Sequence, residues 1–382
     1  MRVFSRWIAG SLTLLAALAA VAAGSASAAP ASRVVGQVYV NDNPAGANTV
    51  AGFDRHADGS LTPLPGSPFR AGGAGTGSGL ASQGALQQSA DGRFLLAVDA
   101  GSNEISVLRV HGDGSLAVRD VVSSGGVKPV SIAVHGSLVY VANAGDGGSN
   151  YTGFILRPDG RLRPLPNSTI PLPDGSQPGD VLFNSTGTTV VGTRVNTSLI
   201  DSFRVRFDGR LSAAPNSPIP AQGLGPFGSE FRPTNPSQLF VSNAHDGAGN
   251  GTVSAFSVNA SGSLTSISGS RFADLQTAPC WVEITHDGRF LFTVNTASSS
   301  VSRYSIAAGG TLTLLGSTSL NDPTGLGAVD ARLDPSGRTL SVVDGGANAV
   351  STLAVNGGDL TELSSSPTPL PAGGSPSGIV VR

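Results

Sequence analysis

Seven residues of this sequence have the side-chain types that acid–base and anion-binding chemistry needs: Asp180, Arg194, Glu230, Trp281, Glu283, Asp330 and Arg332. A carboxylate can take a proton from water, a guanidinium can hold an oxyanion through paired N–H donors, and an indole face can pack on a small ring. Six of the seven share a register. Seven short stretches, aligned on their Pro and Gly marks, present Ala85, Ser131, Asp180, Gly228, Trp281, Asp330 and Gly378 at one equivalent position. Two residues further on stand Gln87, Ala133, Leu182, Glu230, Glu283, Arg332 and Val380. Unpaired charge is expensive to bury, so these groups are expected to face a wet central channel or to pair with one another. The functional reading is a polar pocket whose charges polarise or bind a ligand. The structural reading is hydrogen bonding between neighbouring units.

Arg194 enters by a different route. A small polar residue recurs at the end of a second strand in six units, as Asp42, Asp99, Asn143, Asn243, Asn295 and Asp344. Asn and Asp suit that place because they satisfy backbone groups of the next turn. The fourth unit has Arg194 instead, which either reaches into the pocket to bind a carboxylate or ring oxygen, or forms a salt bridge with Asp201 or Asp180.

Other constellations carry less. His245-Asp246 lies in a glycine-rich loop with too few carboxylates for a calcium site, and no histidine pair has zinc spacing, so no metal or other cofactor is expected. No G-x-S-x-G occurs in the strand-to-helix context of a hydrolase elbow. Cys280 reads as a small buried apolar residue, having no evident His partner. Residues 72–84 read as a flexible glycine-rich loop, since no helix follows to make a phosphate cradle.

The elements that position these residues come from a repeat. The signature x-Gly-x-Leu follows an alternating apolar run seven times, from Gly59-Ser60-Leu61 to Gly358-Asp359-Leu360, at intervals of 46 to 55 residues. That interval belongs to propeller blades rather than helical repeats. Four of the seven begin with Asp-Gly, a strong hairpin signal. The sixth unit reads as four strands, at 280–285, 290–295, 301–306 and from 312, and no segment sustains a helical period. The chain opens on a second-type strand at 38–42 and closes on a first-type strand at 378–382. Pairing the two closes the ring and removes both free edges. The expected fold is therefore all-β: a seven-bladed propeller with four antiparallel strands per blade.

The ends and composition set the context. Arg2 and Arg6, an apolar stretch at 8–23 and Ala26-Ser27-Ala28 form an export signal. Cleavage after Ala28 would leave residues 29–382 as one secreted domain, and a retained anchor is the alternative. No later stretch is long and apolar enough to span a bilayer. A net charge of −2, with no Lys/Arg-rich stretch, argues against nucleic acid as partner. A single cysteine excludes an intramolecular disulfide, so an exported chain must rely on its core.

The stretch from Trp281 through His286-Asp287-Gly288-Arg289 to Asn295-Thr296-Ala297-Ser298 resembles a blade of the lactonase family, the 6-phosphogluconolactonase-like and carboxymuconate cyclase-like propellers. Asp91-Gly92-Arg93-Phe94-Leu95 and Gly225-Pro226 extend the likeness, and the x-Gly-x-Leu rhythm fits it along residues 29–382. The resemblance implies a seven-bladed propeller and lactone chemistry. The family's Gly-Pro-Arg-His at the start of the fifth blade stands here as Gly225-Pro226-Phe227-Gly228, and its acid after the second-strand Asn is Ala244. Its His near the start of the third blade is replaced around Val130.

Two functions compete. One is an extracellular hydrolase of a small, non-phosphorylated lactone or carbohydrate-like cyclic ester. Glu230 or Glu283 would be its general base, Arg194 and Arg332 would hold the oxyanion, and Asp180, Trp281 and Asp330 would contact the ligand. The other is a non-catalytic propeller that binds a ligand or a protein on its loop face.

Overall fold

The computed structural model describes Met1 and residues 32–382 apart from Pro323 and Leu326. The export signal falls on residues 2–31, outside the described ones. Residues 33–382 form one compact unit with no helix among the described residues.

The seven x-Gly-x-Leu motifs are third-to-fourth-strand turns. In six of them the glycine takes φ between 81° and 87°, a left-handed conformation that a Cβ would penalise. In the seventh, Gly357 carries the positive φ just before Gly358. The motif leucine turns inward and is buried in six blades; Leu211 is half-buried. In four blades the preceding residue is an Asp that caps the turn. Asp58 Oδ1, for instance, accepts from the Ser60 amide at 3.0 Å and its hydroxyl at 2.7 Å.

Seven antiparallel sheets result. In blade 6 the strands Pro279–Ile284, Phe290–Asn295, Ser300–Ile306 and Leu312–Ser319 pair in sequence order. In five blades the outermost strand is broken, and its second piece pairs back on the third strand, as Phe272–Ala273 does on Thr252–Val258. Blade 1 is composite. Ile379–Val381 pairs with Val34–Asn41, with Val38 opposite Val381 and Val40 opposite Ile379, so the last strand closes the ring as the repeat predicts.

The core is a series of layers between neighbouring blades, as expected where each sheet buries both faces. At the closure, Val38, Val40 and Phe53 of blade 1 pack with Ile379 and Val381 and with Val343 and Val350 of blade 7.

Candidate functional site

The innermost strands bring five of the seven candidate residues to the channel. In blades 3, 4 and 6 the strand starts on a proline (Pro129, Pro178, Pro279), and a register shift follows it. Blade 7 shifts at Asp330 itself, which takes φ 42°, a left-handed conformation that Asp tolerates better than most residues.

Asp180 ties three blades together. It accepts from the Ser131 hydroxyl of blade 3 at 3.2 Å, and from the amide and hydroxyl of Ser229 in blade 5 at 3.0 and 2.6 Å. Asp330 accepts from the amides of Ala331 and Gly84, at 2.9 and 3.3 Å. Two residues further along their strands, Glu283 binds Arg332 Nη1 at 3.1 Å and the Leu333 amide at 3.0 Å. Among the described residues Glu230 forms no ion pair; the charges of Glu283 and Asp180 favour its protonated form and that of Arg332 opposes it.

One guanidinium among four carboxylates cannot neutralise them all, and unpaired carboxylates retreat to the protonated form when desolvated. Burial pushes Asp180 up to about 7 and Asp330 up to about 6. Burial, then the neighbouring Glu283 charge, pushes Glu230 up to about 8. Burial also raises Glu283, though Arg332 pulls it back, and Glu283 in turn holds Arg332 firmly charged. Glu230 is half-buried and the Arg332 side chain 26% exposed, whereas Asp180, Asp330 and Glu283 are buried. Solvent therefore reaches the cluster chiefly at Glu230 and Arg332.

A segment that sequence patterns read as a flexible loop closes the channel above them. Within residues 72–84, positions 72–75 belong to the strand Phe69–Gly75, and residues 80–84 are buried except for Ala81. The segment 82–84 touches the inner strands of five other blades. The Ser82 hydroxyl donates to the Val130 carbonyl, and the Gln83 amide to that of Gly179. Gln83 Nε2 donates to the Ser229 carbonyl at 3.0 Å, and the Val282 amide donates to Gln83 Oε1 at 3.1 Å. The Gly84 amide reaches Asp330. Backbone polar groups must find partners when buried, and here the channel walls supply them. Gly228 follows from this, because a Cβ there would collide with Gln83 Oε1.

Gln83 was missed by the search for charged groups, but a signal existed. Five inner strands carry Pro at the position where blade 2 carries Gln83: Pro129, Pro178, Pro226, Pro279 and Pro376.

Trp281 lies on the other side of this partition from the Glu230–Arg332 pair. Its Nε1 donates to the Ser82 carbonyl at 2.8 Å, and its ring meets Phe227 edge-on at 5.3 Å. Both help to line a cavity of about 340 Å³ with Leu80, Cys280, Val329 and Pro376. The expected single pocket is thus not found as one space: Trp281 faces the apolar cavity where the inner strands begin, whereas Glu230, Glu283 and Arg332 stand two residues further along their strands, about 7 Å at ~3.3 Å per residue, and line no part of that cavity.

Arg194 does not join the cluster. Its Nε and Nη2 form a fork on Asp201 at 2.6 and 2.5 Å, and the Tyr151 hydroxyl adds a third bond to Asp201 at 3.1 Å. Of its two sequence readings, the salt bridge with Asp201 is the one found. Other blades explain why. Asp42 binds Thr49, Asp99 binds Ser106, and Asn295 binds Ser302, always seven residues on. Arg194–Asp201 is the same link, with Arg194 donating as Asn295 does, whereas Asp42 and Asp99 accept.

Asp246 is already engaged, by the Leu224 amide at 2.8 Å, the Thr252 hydroxyl at 2.5 Å and Arg271 at 3.4 Å. Burial pushes the Cys280 thiol up to about 12, which leaves it without thiolate at neutral pH.

A family model described as lactonase, 7-bladed beta-propeller, matches residues 47–176 and 231–377. The chain belongs to the lactonase family. Solved structures similar to this lactonase-family propeller include a provisional 6-phosphogluconolactonase from Bacteroides uniformis, at 20% identity and TM-score 0.73, covering 91% of this chain and 99% of that one. Another is the periplasmic gluconolactonase of Pseudomonas aeruginosa, at 18% identity and TM-score 0.70, covering 90% and 98%. At such identities the likeness is one of fold. No curated protein matches the chain. The two matched segments flank residues 177–230, the stretch of this lactonase-family chain that holds Asp180, the Arg194–Asp201 pair, Pro226-Phe227-Gly228 and Glu230.

Proposed function

We propose that this chain hydrolyses a small, uncharged lactone in the charged part of its channel, with Glu230 as general base and Arg332 as the oxyanion partner. The observation that carries the reading is Glu230 itself, a half-buried carboxyl pushed up to about 8 by burial, in no ion pair among the described residues and within the field of the part-exposed Arg332. A base works best when its pKa lies near the working pH. Glu230 takes a proton from water, the hydroxide oxygen bonds to the lactone carbonyl carbon, and Arg332 steadies the oxyanion. Collapse breaks the ring C–O bond, protonated Glu230 returns its proton to the ring oxygen, and the hydroxy acid formed releases one proton to solvent at neutral pH. Glu283 positions Arg332. Asp180 and Asp330 shape the wall and, with Glu230 and Glu283, make it hostile to a phosphate dianion. This favours a non-phosphorylated substrate. Trp281 gives an apolar surface in the neighbouring cavity for the ring of a ligand, and the pattern at residues 2–28 supports an exported protein cleaved after Ala28.

The test is a lactone panel followed with a pH indicator and by tryptophan emission. Turnover should rise with pH and level off above about 8, and Glu230→Gln should lower kcat on the order of 10²-fold or more with a smaller effect on KM. A saturable emission change without acid release would mean a propeller that binds and does not hydrolyse. Turnover indifferent to Glu230→Gln would remove the assignment.

A further inference from the structure

Three blade junctions open as notches on the face where first and second strands turn. Each lies between the first turn of one blade and the third-to-fourth-strand turn of the next. The notch between blades 2 and 3 has about 260 Å³ and includes Asp91, Arg93 and Arg157. The one between blades 6 and 7 has about 220 Å³ and includes His286 and Asp287. The third, between blades 7 and 1, has about 480 Å³ and gathers Arg33, Arg55, Arg338, Arg382 and His56 around one acidic side chain, Asp334.

We propose that this third notch is an oxyanion site, built for a phosphate-type group and separate from the channel. Its acid is already saturated. Asp334 Oδ1 accepts from the amides of Arg338 and Thr339 at 2.7 and 3.0 Å, and Oδ2 from the Ser336 hydroxyl and Arg55 Nη1 at 2.6 and 3.1 Å. Asp334 thus neutralises one guanidinium of four. Arg55, the guanidinium so paired, is buried and locked, with Nη2 also on the Arg382 main-chain oxygen at 3.2 Å, so it walls the notch and the uncompensated charge comes from the other three. Arg33 and Arg338 are exposed and form no ion pair with a carboxylate among the described residues. Arg382 rests one nitrogen on the Gly92 carbonyl at 2.9 Å. Guanidinium forks match the oxygen spacing of phosphate, and several converging on one concavity are stronger than isolated surface charges. The other two notches share the shape and lack this excess of arginine, which makes them internal controls.

The experiment is calorimetric titration with inorganic phosphate and with tripolyphosphate at low salt. Both should bind saturably, tripolyphosphate the more tightly, and added NaCl should weaken both. The exposed pair Arg33→Ala/Arg338→Ala, checked for an unchanged circular dichroism spectrum, should weaken tripolyphosphate at least about tenfold. Arg93→Ala, in the notch between blades 2 and 3, should leave it unaltered. Absence of saturable binding, or a loss as large in Arg93→Ala as in the double variant, would overturn the site.

Discussion

Replacing Gln83 with alanine tests the partition of the channel most directly. The Gln83 side chain is 3% exposed and holds two blades that are remote from it in sequence. Its bonds to the Ser229 carbonyl and the Val282 amide, at 3.0 and 3.1 Å, are well formed, and a third, to the Val282 carbonyl at 3.4 Å, is weak. Removing the amide leaves a buried donor and a buried acceptor without partners, each at about 1–3 kcal/mol, so the substitution should cost roughly 3 kcal/mol. A water molecule entering the vacated space would lower that figure, and the emptied volume would raise it. Equilibrium urea denaturation followed by circular dichroism reads the change as a shifted midpoint at constant slope. Because the indole of Trp281 donates to the carbonyl next to Gln83, its emission should shift as well. A variant as stable as the parent, with unchanged emission, would refute the reading of residues 80–84 as a structural plug.

Three further outcomes are expected. The fold should be more stable near pH 5 than near pH 8, by at least about 2 kcal/mol in sum, when urea midpoints are compared. Burial lifts Asp42 and Asp180 to about 7, Asp99, Asp330 and Asp344 to about 6, and Glu230 to about 8. Folded pKa values above the unfolded ones give stability that is whole below about pH 4 and lost as pH rises through 6 to 8, so a rising trend would contradict it. Deleting residues 378–382 removes the strand paired with Val34–Asn41 and should cause aggregation or a large fall in melting temperature; an unchanged melt would sink ring closure. Arg194→Met strands the buried Asp201 and should cost about 3 kcal/mol. Adding Asp201→Leu should restore part of it, and lactone turnover by the folded single variant should stay as it was.

Much of the fold could be read from the sequence because a propeller is a sum of local hairpins. Glycine in a left-handed turn followed by an inward leucine marks every third-to-fourth-strand junction, and its sevenfold return gives the blade count. The register of Asp180, Glu230, Glu283, Asp330 and Arg332 was equally legible, since proline and glycine fix where each inner strand starts. What escaped was decided by contacts remote in sequence. Residues 80–84 have the composition of a mobile loop, and only the convergence of five other inner strands turns them into buried structure. Trp281 could be placed on the right ring, but not on a particular side of a plug that the pattern did not show. Arg194 broke a rule about one residue, whereas the physical unit was a pair that includes Asp201.

The strand pairing that completes blade 1 also orders events in time. Val38 and Val381 are neighbours in the sheet, yet nearly the whole described chain lies between them. During folding, blades 2 to 7 can each assemble from residues close together in sequence. Blade 1 must wait with one edge unpaired until the last strand arrives. Such a distant pairing is slow to find, and an open edge invites pairing with other chains. The seam between blades 7 and 1 is therefore the point at which a newly made molecule is most exposed to misassembly, and the last to acquire its native packing.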